Sequence, residues 1–162
     1  TFCMVYKKGP VYRVRPVKEI CEDIDAARDI YGQKVKSVFF PAGNSIAMPA
    51  RDLAAICRHS KAKFRRLQRI TVYGSSQYIA KKGTADMATL AEAGLSRIHV
   101  GLESGDDTIL KRVKKGTNTA EQIQAGKIVK QAGMQLSEYV ILGLGGTERL
   151  HAPAGRTHHG RG

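Results

Sequence analysis

Apolar residues recur along this chain in two alternating rhythms. Val17, Ile20, Cys21, Ile24 and Ala27 fall on one face at helical spacing, which predicts an amphipathic helix over 17–31. Gly32 closes it. Val35 to Phe40 is a short apolar run that reads as a strand ending in Pro41-Ala-Gly-Asn44. Leu53, Ile56 and Cys57 mark a second helix, and Leu67 to Tyr73 a second strand that ends in Gly74-Ser75-Ser76. Thr84 to Gly94 predicts a third helix with a Thr cap and a Gly stop. Residues 97–102 form the third strand, followed by a helix-like stretch from Asp106 to Lys115. Thr119 with Gln122 resembles a capping box. It opens a helix that turns Ile128, Val129 and Ala132 inward and stops at Gly133. Gln135 to Leu142 is the fourth strand, running into Gly143-Leu-Gly-Gly146.

Each strand is reached through a helix, with strand starts roughly 30–40 residues apart, a spacing that predicts right-handed βαβ units and a parallel sheet. The fold class is therefore α/β. Doubly wound and barrel sheets both fit the alternation, and the unit length favours a partial (β/α) TIM-type barrel. The helix–Gly–strand junction occurs twice, in Glu92-Ala-Gly-Leu95 and Gln131-Ala-Gly-Met134. This is recurrent loop chemistry and not a sequence repeat.

All four strands end in small or polar residues, the mark of a functional carboxyl-terminal face. The richest of these ends is Arg97-Ile-His-Val-Gly-Leu-Glu-Ser-Gly105, which delivers a carboxylate, a hydroxyl and two glycines. Glycine lets a ligand approach the backbone closely, and the helix start that follows favours polar or anionic groups. The plainer reading is a strand–helix turn capped by Ser104 and Asp106. On these residues alone both stand.

Composition adds limits. The 162 residues suit one domain, and 42% hydrophobic content is globular. No apolar run has membrane-spanning length, and no signal peptide is visible. The net charge of +13 invites a nucleic-acid or anionic-substrate partner. Its densest cluster, Lys61-Ala-Lys-Phe-Arg-Arg66, also reads as a solvated helix end, where cations suit the dipole. Cys3, Cys21 and Cys57 are odd in number and widely spaced, which argues against a disulfide framework and for a reducing, cytoplasmic setting. Residues 150–162 lack periodicity and are rich in Gly, His and Arg. They read as a disordered or non-native tail, in preference to a metal site at His158-His159. The first residue is Thr, which reads as a fragment or a processed piece.

Taken in order, these segments resemble the radical S-adenosylmethionine (SAM) superfamily over roughly residues 1–149. Thr1-Phe2-Cys3 looks like the end of that family's cysteine motif, in which three cysteines hold a [4Fe–4S] cluster. Phe39-Phe-Pro-Ala-Gly-Asn-Ser45 resembles the strand end that receives the SAM amino group. Val100-Gly-Leu-Glu-Ser-Gly105, with Ile109-Leu-Lys-Arg-Val-Lys-Lys-Gly116 after it, resembles the family's fourth-strand segment. It is similar to the branch with tRNA-modifying and porphyrinogen-oxidising members. Tyr139-Val-Ile-Leu-Gly-Leu-Gly-Gly146 resembles the fifth-strand segment near the adenine.

The resemblance implies reductive cleavage of SAM to a 5′-deoxyadenosyl radical that takes a hydrogen atom from substrate. It implies Cys3 as a cluster ligand. Glu103 would accept a hydrogen bond from a SAM hydroxyl or ammonium group, with Ser104 adding another. Gly43 and Asn44 would face the amino end, Ser75 would be a further polar contact, and Gly143 and Gly145 would admit the adenine. Lys114 and Lys115 read as a solvated helix end or, by the resemblance, as a basic group facing the SAM carboxylate. The implied partners are a small-molecule or RNA substrate, tRNA among them, and an electron donor such as flavodoxin or ferredoxin. Tyr6, Lys7 and Lys8 would lie near substrate or in solvent.

The chain departs from the family in three places. The first two cluster cysteines and the first barrel strand would precede Thr1. After Glu148 the sequence runs into the Gly/His tail instead of another helix and strand. Asn44 stands where the family commonly has an acidic residue. These departures imply a barrel truncated at both ends. They keep two other readings open: a non-catalytic, vestigial basic binding module, and a metal-independent (β/α) enzyme with Gly143 to Gly146 cradling a phosphate.

Overall fold

A computed structural model describes residues 13–41 and 43–146. Cys3, Tyr6, Lys7, Lys8 and the tail lie outside them. Helix α1 (Val17–Tyr31) is followed by strand β1 (Ser37–Phe40), helix α2 (Ala50–Lys63), strand β2 (Arg69–Gly74) and helix α3 (Ser76–Glu92). Strand β3 (Arg97–Glu103), helices α4 (Asp107–Arg112) and α5 (Thr119–Gln131) and strand β4 (Gln135–Val140) complete the order. The strands form one sheet in the order β1-β2-β3-β4, every pair parallel. The expected α/β alternation is therefore present, element by element.

The register assigns each strand two faces. Val38 pairs with Ile70, Val72 with Ile98 and Ile98 with Leu136, so these side chains share one face. They pack with Leu53, Ile56, Cys57, Ile79, Met87, Leu90, Ile128 and Val129 from the helices. Each fully buried Ile or Leu of this kind contributes about 1.5–3 kcal/mol. The other face carries Phe39, Tyr73, His99 and Tyr139, one from each strand, whose neighbouring ring centroids lie 5.0 to 5.8 Å apart.

Several boundaries differ from the sequence reading. Strand β1 begins at Ser37, where pairing with Arg69 starts; Val35 is extended but lies between the 3-10 turn Gly32–Lys34 and the paired residues. The α3 segment is two helical stretches joined at Gly83, whose φ 70° and ψ −174° are not helical. The second follows Gly83, where the Thr84 signal placed a helix start, and the first, from Ser76, is additional to the sequence reading. The capping box of α5 lies one residue earlier than expected. The Asn118 side chain accepts from the Glu121 amide at 2.9 Å, and Glu121 Oε2 accepts from the Asn118 amide at 3.0 Å. Gln122 is thereby turned into the core, where it is 3% exposed.

Candidate functional site

A parallel sheet with helical returns brings every strand's carboxyl end to one edge. Gly43 and Asn44 follow β1, Ser75 follows β2, Glu103 and Ser104 end β3, and Gly143 and Gly145 follow β4. The topology thus brings all seven candidate residues to the same rim.

Strand β3 ends irregularly. Gly101 pairs with Tyr139 and Glu103 with Val140, so Leu102 is an extra residue in the ladder. A bulge of this kind re-aims the side chain beside it. The Ser104 amide donates to the Leu102 carbonyl at 2.9 Å, closing a three-residue turn around Glu103, whose φ is +66°. A non-glycine residue in that geometry costs about 1–3 kcal/mol and persists only where its surroundings hold it. Three contacts do so here: Ile141 N–H donates to the Glu103 carbonyl at 3.0 Å, Gln122 Nε2 donates to the Leu102 carbonyl at 2.9 Å, and Lys115 Nζ donates to Glu103 Oε1 at 2.9 Å.

The Glu103–Lys115 pair is largely enclosed, with side-chain exposures of 11% and 18%. The expectation that Lys115 sits on a solvated helix end is therefore corrected. Lys114, at φ +55°, reverses the chain after α4 and lets Lys115 turn inward, with its amide on the Leu110 carbonyl at 2.9 Å. Helix α4 itself is capped as the plainer reading required: Asp106 accepts from the amides of Thr108 and Ile109, and Ser104 Oγ accepts from the Asp106 amide at 3.1 Å. Capped turn and enclosed carboxylate coexist in one segment.

At the end of β1, Ser45 Oγ donates to the Phe40 carbonyl at 3.2 Å and tightens the turn through Asn44. Asn44 Oδ1 is buried and has no hydrogen-bond partner among the described residues. An acceptor in that state is costly unless a ligand or solvent donor meets it. Gly43, Asn44 and Ser45 form part of the wall of a mainly apolar cleft of about 960 Å³ between α1, α2 and β1.

Ser75 caps no helix amide with its side chain, although its carbonyl accepts from the Ile79 amide at 3.0 Å. After β4, Gly143 takes φ +74°, a conformation that favours glycine. The guanidinium of Arg112 donates to the carbonyls of Leu144 and Gly145 at 3.2 and 2.7 Å. The turn also uses two of its own amides, Leu144 on the Ile141 carbonyl and Gly146 on the Gly143 carbonyl. These amides are turned into the loop and not outward as a phosphate cradle would need.

His99 lies within the aromatic row, and burial together with Arg97 lowers its pKa, so the ring is neutral at physiological pH. Its Nδ1 is buried without a partner among the described residues. Cys57 is fully buried, and desolvation pushes its thiol up to about 12; burial also raises Cys21. Neither offers a ready thiolate. No three His, Cys, Asp or Glu side chains gather as a metal site among the described residues. Sequence reasoning missed the roles of Gln122, Lys115 and Arg112. All three act on backbone or side chains far along the chain, and no local spacing marks them.

The sequence matches the family described as the Radical SAM superfamily over residues 1–149. No curated protein matches it. Among solved structures, it is similar to the cobalamin-dependent S-adenosylmethionine radical enzyme OxsB with aqua-cobalamin bound, at 22% identity and a TM-score of 0.63 over 80% of this chain and 20% of that one. It is also similar to methylornithine synthase (PylB), at 16% identity and a TM-score of 0.61, covering 82% of this chain and 37% of that one. The archaeal Methanocaldococcus infernus Elp3 aligns at 17% identity and a TM-score of 0.54, over 79% of this chain and 34% of that one. The chain thus spans between a fifth and just over a third of the length of these structures. The likeness identifies the four parallel strands as part of a (β/α) barrel, and the family match over residues 1–149 places the chain in the radical SAM superfamily, a family of enzymes.

Proposed function

We propose that this chain carries the SAM-binding strand ends of a [4Fe–4S]-dependent radical SAM enzyme. The observation that carries the reading is Asn44 Oδ1, a buried acceptor left without a partner among the described residues at the carboxyl end of β1. An ammonium group is a donor of the right chemistry for it. Glu103, enclosed but with a second carboxylate oxygen beyond the one on Lys115, accepts from a ribose hydroxyl or the ammonium. Ser104 keeps its hydroxyl proton for donation, since its oxygen accepts from Asp106. Gly43 and Gly143 are exposed and keep backbone accessible, Gly145 is buried with its carbonyl on Arg112 and shapes the loop beneath the adenine, and Ser75 adds a hydroxyl at the β2 end.

When bound, the reduced cluster and SAM supply the radical chemistry, reductive cleavage of the S–C5′ bond followed by hydrogen abstraction from substrate. This chain's own residues orient the amino acid and ribose portions and shield the site. Cys3 supplies one cluster thiolate in this reading. The substrate is a small molecule or an RNA, and the electron comes from a donor such as flavodoxin or ferredoxin. The free thiols of Cys21 and Cys57 suit the reducing cytoplasm. No described helix is long and apolar enough to cross a membrane.

The test is made on the complete gene product, loaded anaerobically with iron and sulfide. With dithionite and SAM it is expected to release 5′-deoxyadenosine, and Asn44→Ala is expected to weaken SAM binding. A fully loaded cluster that yields no 5′-deoxyadenosine would overturn the reading.

A further inference from the structure

Gln122 is an unusual core residue. It is 3% exposed, faces the end of β3 from α5, and its Oε1 is buried with no partner among the described residues. Half of its amide therefore weakens the core. An apolar side chain of similar volume would leave nothing unsatisfied on α5, and burial of a partly satisfied amide is seldom the more stable choice. The other half makes one contact: Nε2 donates to the Leu102 carbonyl at 2.9 Å. That carbonyl already accepts from Ser104, so it does not need Gln122 for satisfaction. What the contact fixes is the direction of the peptide that precedes Glu103, the residue at φ +66°.

We propose that Gln122 is a positioning residue that holds the strained turn at Leu102–Ser104 and so aims the Glu103 carboxylate into the ligand site. Its function is bound to geometry and not to stability. The inference rests on the reading of Glu103 as a SAM contact. Without the Gln122 hydrogen bond, the Leu102–Glu103 peptide relaxes toward ordinary strand geometry and the carboxylate, still paired with Lys115, loses its fixed direction beside Gly101.

The test compares the wild-type complete protein with Gln122→Met, which keeps volume and removes the donor. Thermal stability is expected to hold or rise. The Ser104 amide is expected to lose hydrogen-exchange protection, and SAM binding measured by calorimetry to weaken about five- to tenfold, the worth of one buried hydrogen bond. In a Glu103→Gln background the Gln122→Met change is expected to leave SAM affinity unaltered, since its effect runs through that carboxylate. Unchanged Ser104 protection overturns the proposal, as does an affinity loss of equal size in both backgrounds. A loss of stability in step with affinity also overturns it, because it marks Gln122 as ordinary packing. If the wild type binds no SAM while Ser104 protection still falls in the variant, the SAM reading fails and the turn-holding role stands.

Discussion

The Glu103 carboxylate occupies the space that a side chain at Gly101 would need. A Cβ added at Gly101 would collide with Glu103 Oε1 and lie 3.0 Å from Lys115 Nζ. Two residues of one strand thus form a single unit, in which the missing side chain of the first is the seat of the second. Because the carboxylate is also tied to Lys115, it cannot swing away without giving up an enclosed ion pair.

Gly101→Ala is therefore expected to lower stability by about 1–3 kcal/mol through overpacking and to weaken SAM binding. Urea denaturation of Gly101→Ala in wild-type and Glu103→Ala backgrounds separates this from a generic strand effect. Removing the carboxylate is expected to recover at least half the loss. Equal losses in the two backgrounds would show that Glu103 is not what fills the site.

Lys115→Met strips the enclosed carboxylate of its cation. Hydrogen bonds between charged groups contribute about 1.5–3 kcal/mol, and a drop of that size is expected in urea. The double variant Lys115→Met/Glu103→Gln is expected to regain part of it, because the uncompensated charge has gone. A Lys115→Met protein as stable as wild type would mean that the pair contributes nothing.

Local signals made much of this fold legible. The 3.6 rhythm marks α1 by its one apolar face, and short apolar runs mark β2 and β3 because side chains within them are buried; β4 is marked by its run alone, since none of its residues is buried. Gly94 and Gly133 mark helix ends because both take positive φ. Where two signals compete, the sequence misleads. Gly83 and Thr84 do mark a helix start, but they hide a preceding helical stretch that buries Ser76 and Ile79 before the break at Gly83. Asn118 and Thr119 are both good caps; the reciprocal Asn118–Glu121 box forms, and it turns Gln122 inward. The rim of polar strand ends was visible; the Glu103–Lys115 pair was not, because it depends on a left-handed Lys114 and a bulge at Leu102 that no spacing encodes.

The cysteines give a chemical check on the core. With its thiol pushed up to about 12 by burial, Cys57 holds almost no thiolate at mildly alkaline pH. Native-state alkylation, resolved by peptide mass spectrometry, is expected to leave Cys57 unmodified and to modify Cys21, raised but only half-buried, slowly. In strong denaturant both are expected to react fully. Rapid native-state labelling of Cys57 would contradict the packing of α2 against the sheet.

Glu138 tests the edge of the sheet. It pairs in register with Val100; the residue as a whole is exposed, and only partial desolvation of its carboxyl raises the pKa from the ordinary 4.5. No cation pairs with it among the described residues. A raised carboxyl pKa means that the folded protein holds this proton more tightly than the unfolded chain. At neutral pH the ionised group therefore works against folding. As pH falls through the folded-state value the penalty is relieved, and below the unfolded value of 4.5 it is gone. Glu138→Gln is expected to stabilise the protein at neutral pH, with the gain shrinking steadily in acid. The gain is small because the residue is largely exposed; stability curves at a series of pH values check it, and a gain that is absent at neutral pH, or unchanged in acid, would show that the β4 carboxylate is fully solvated.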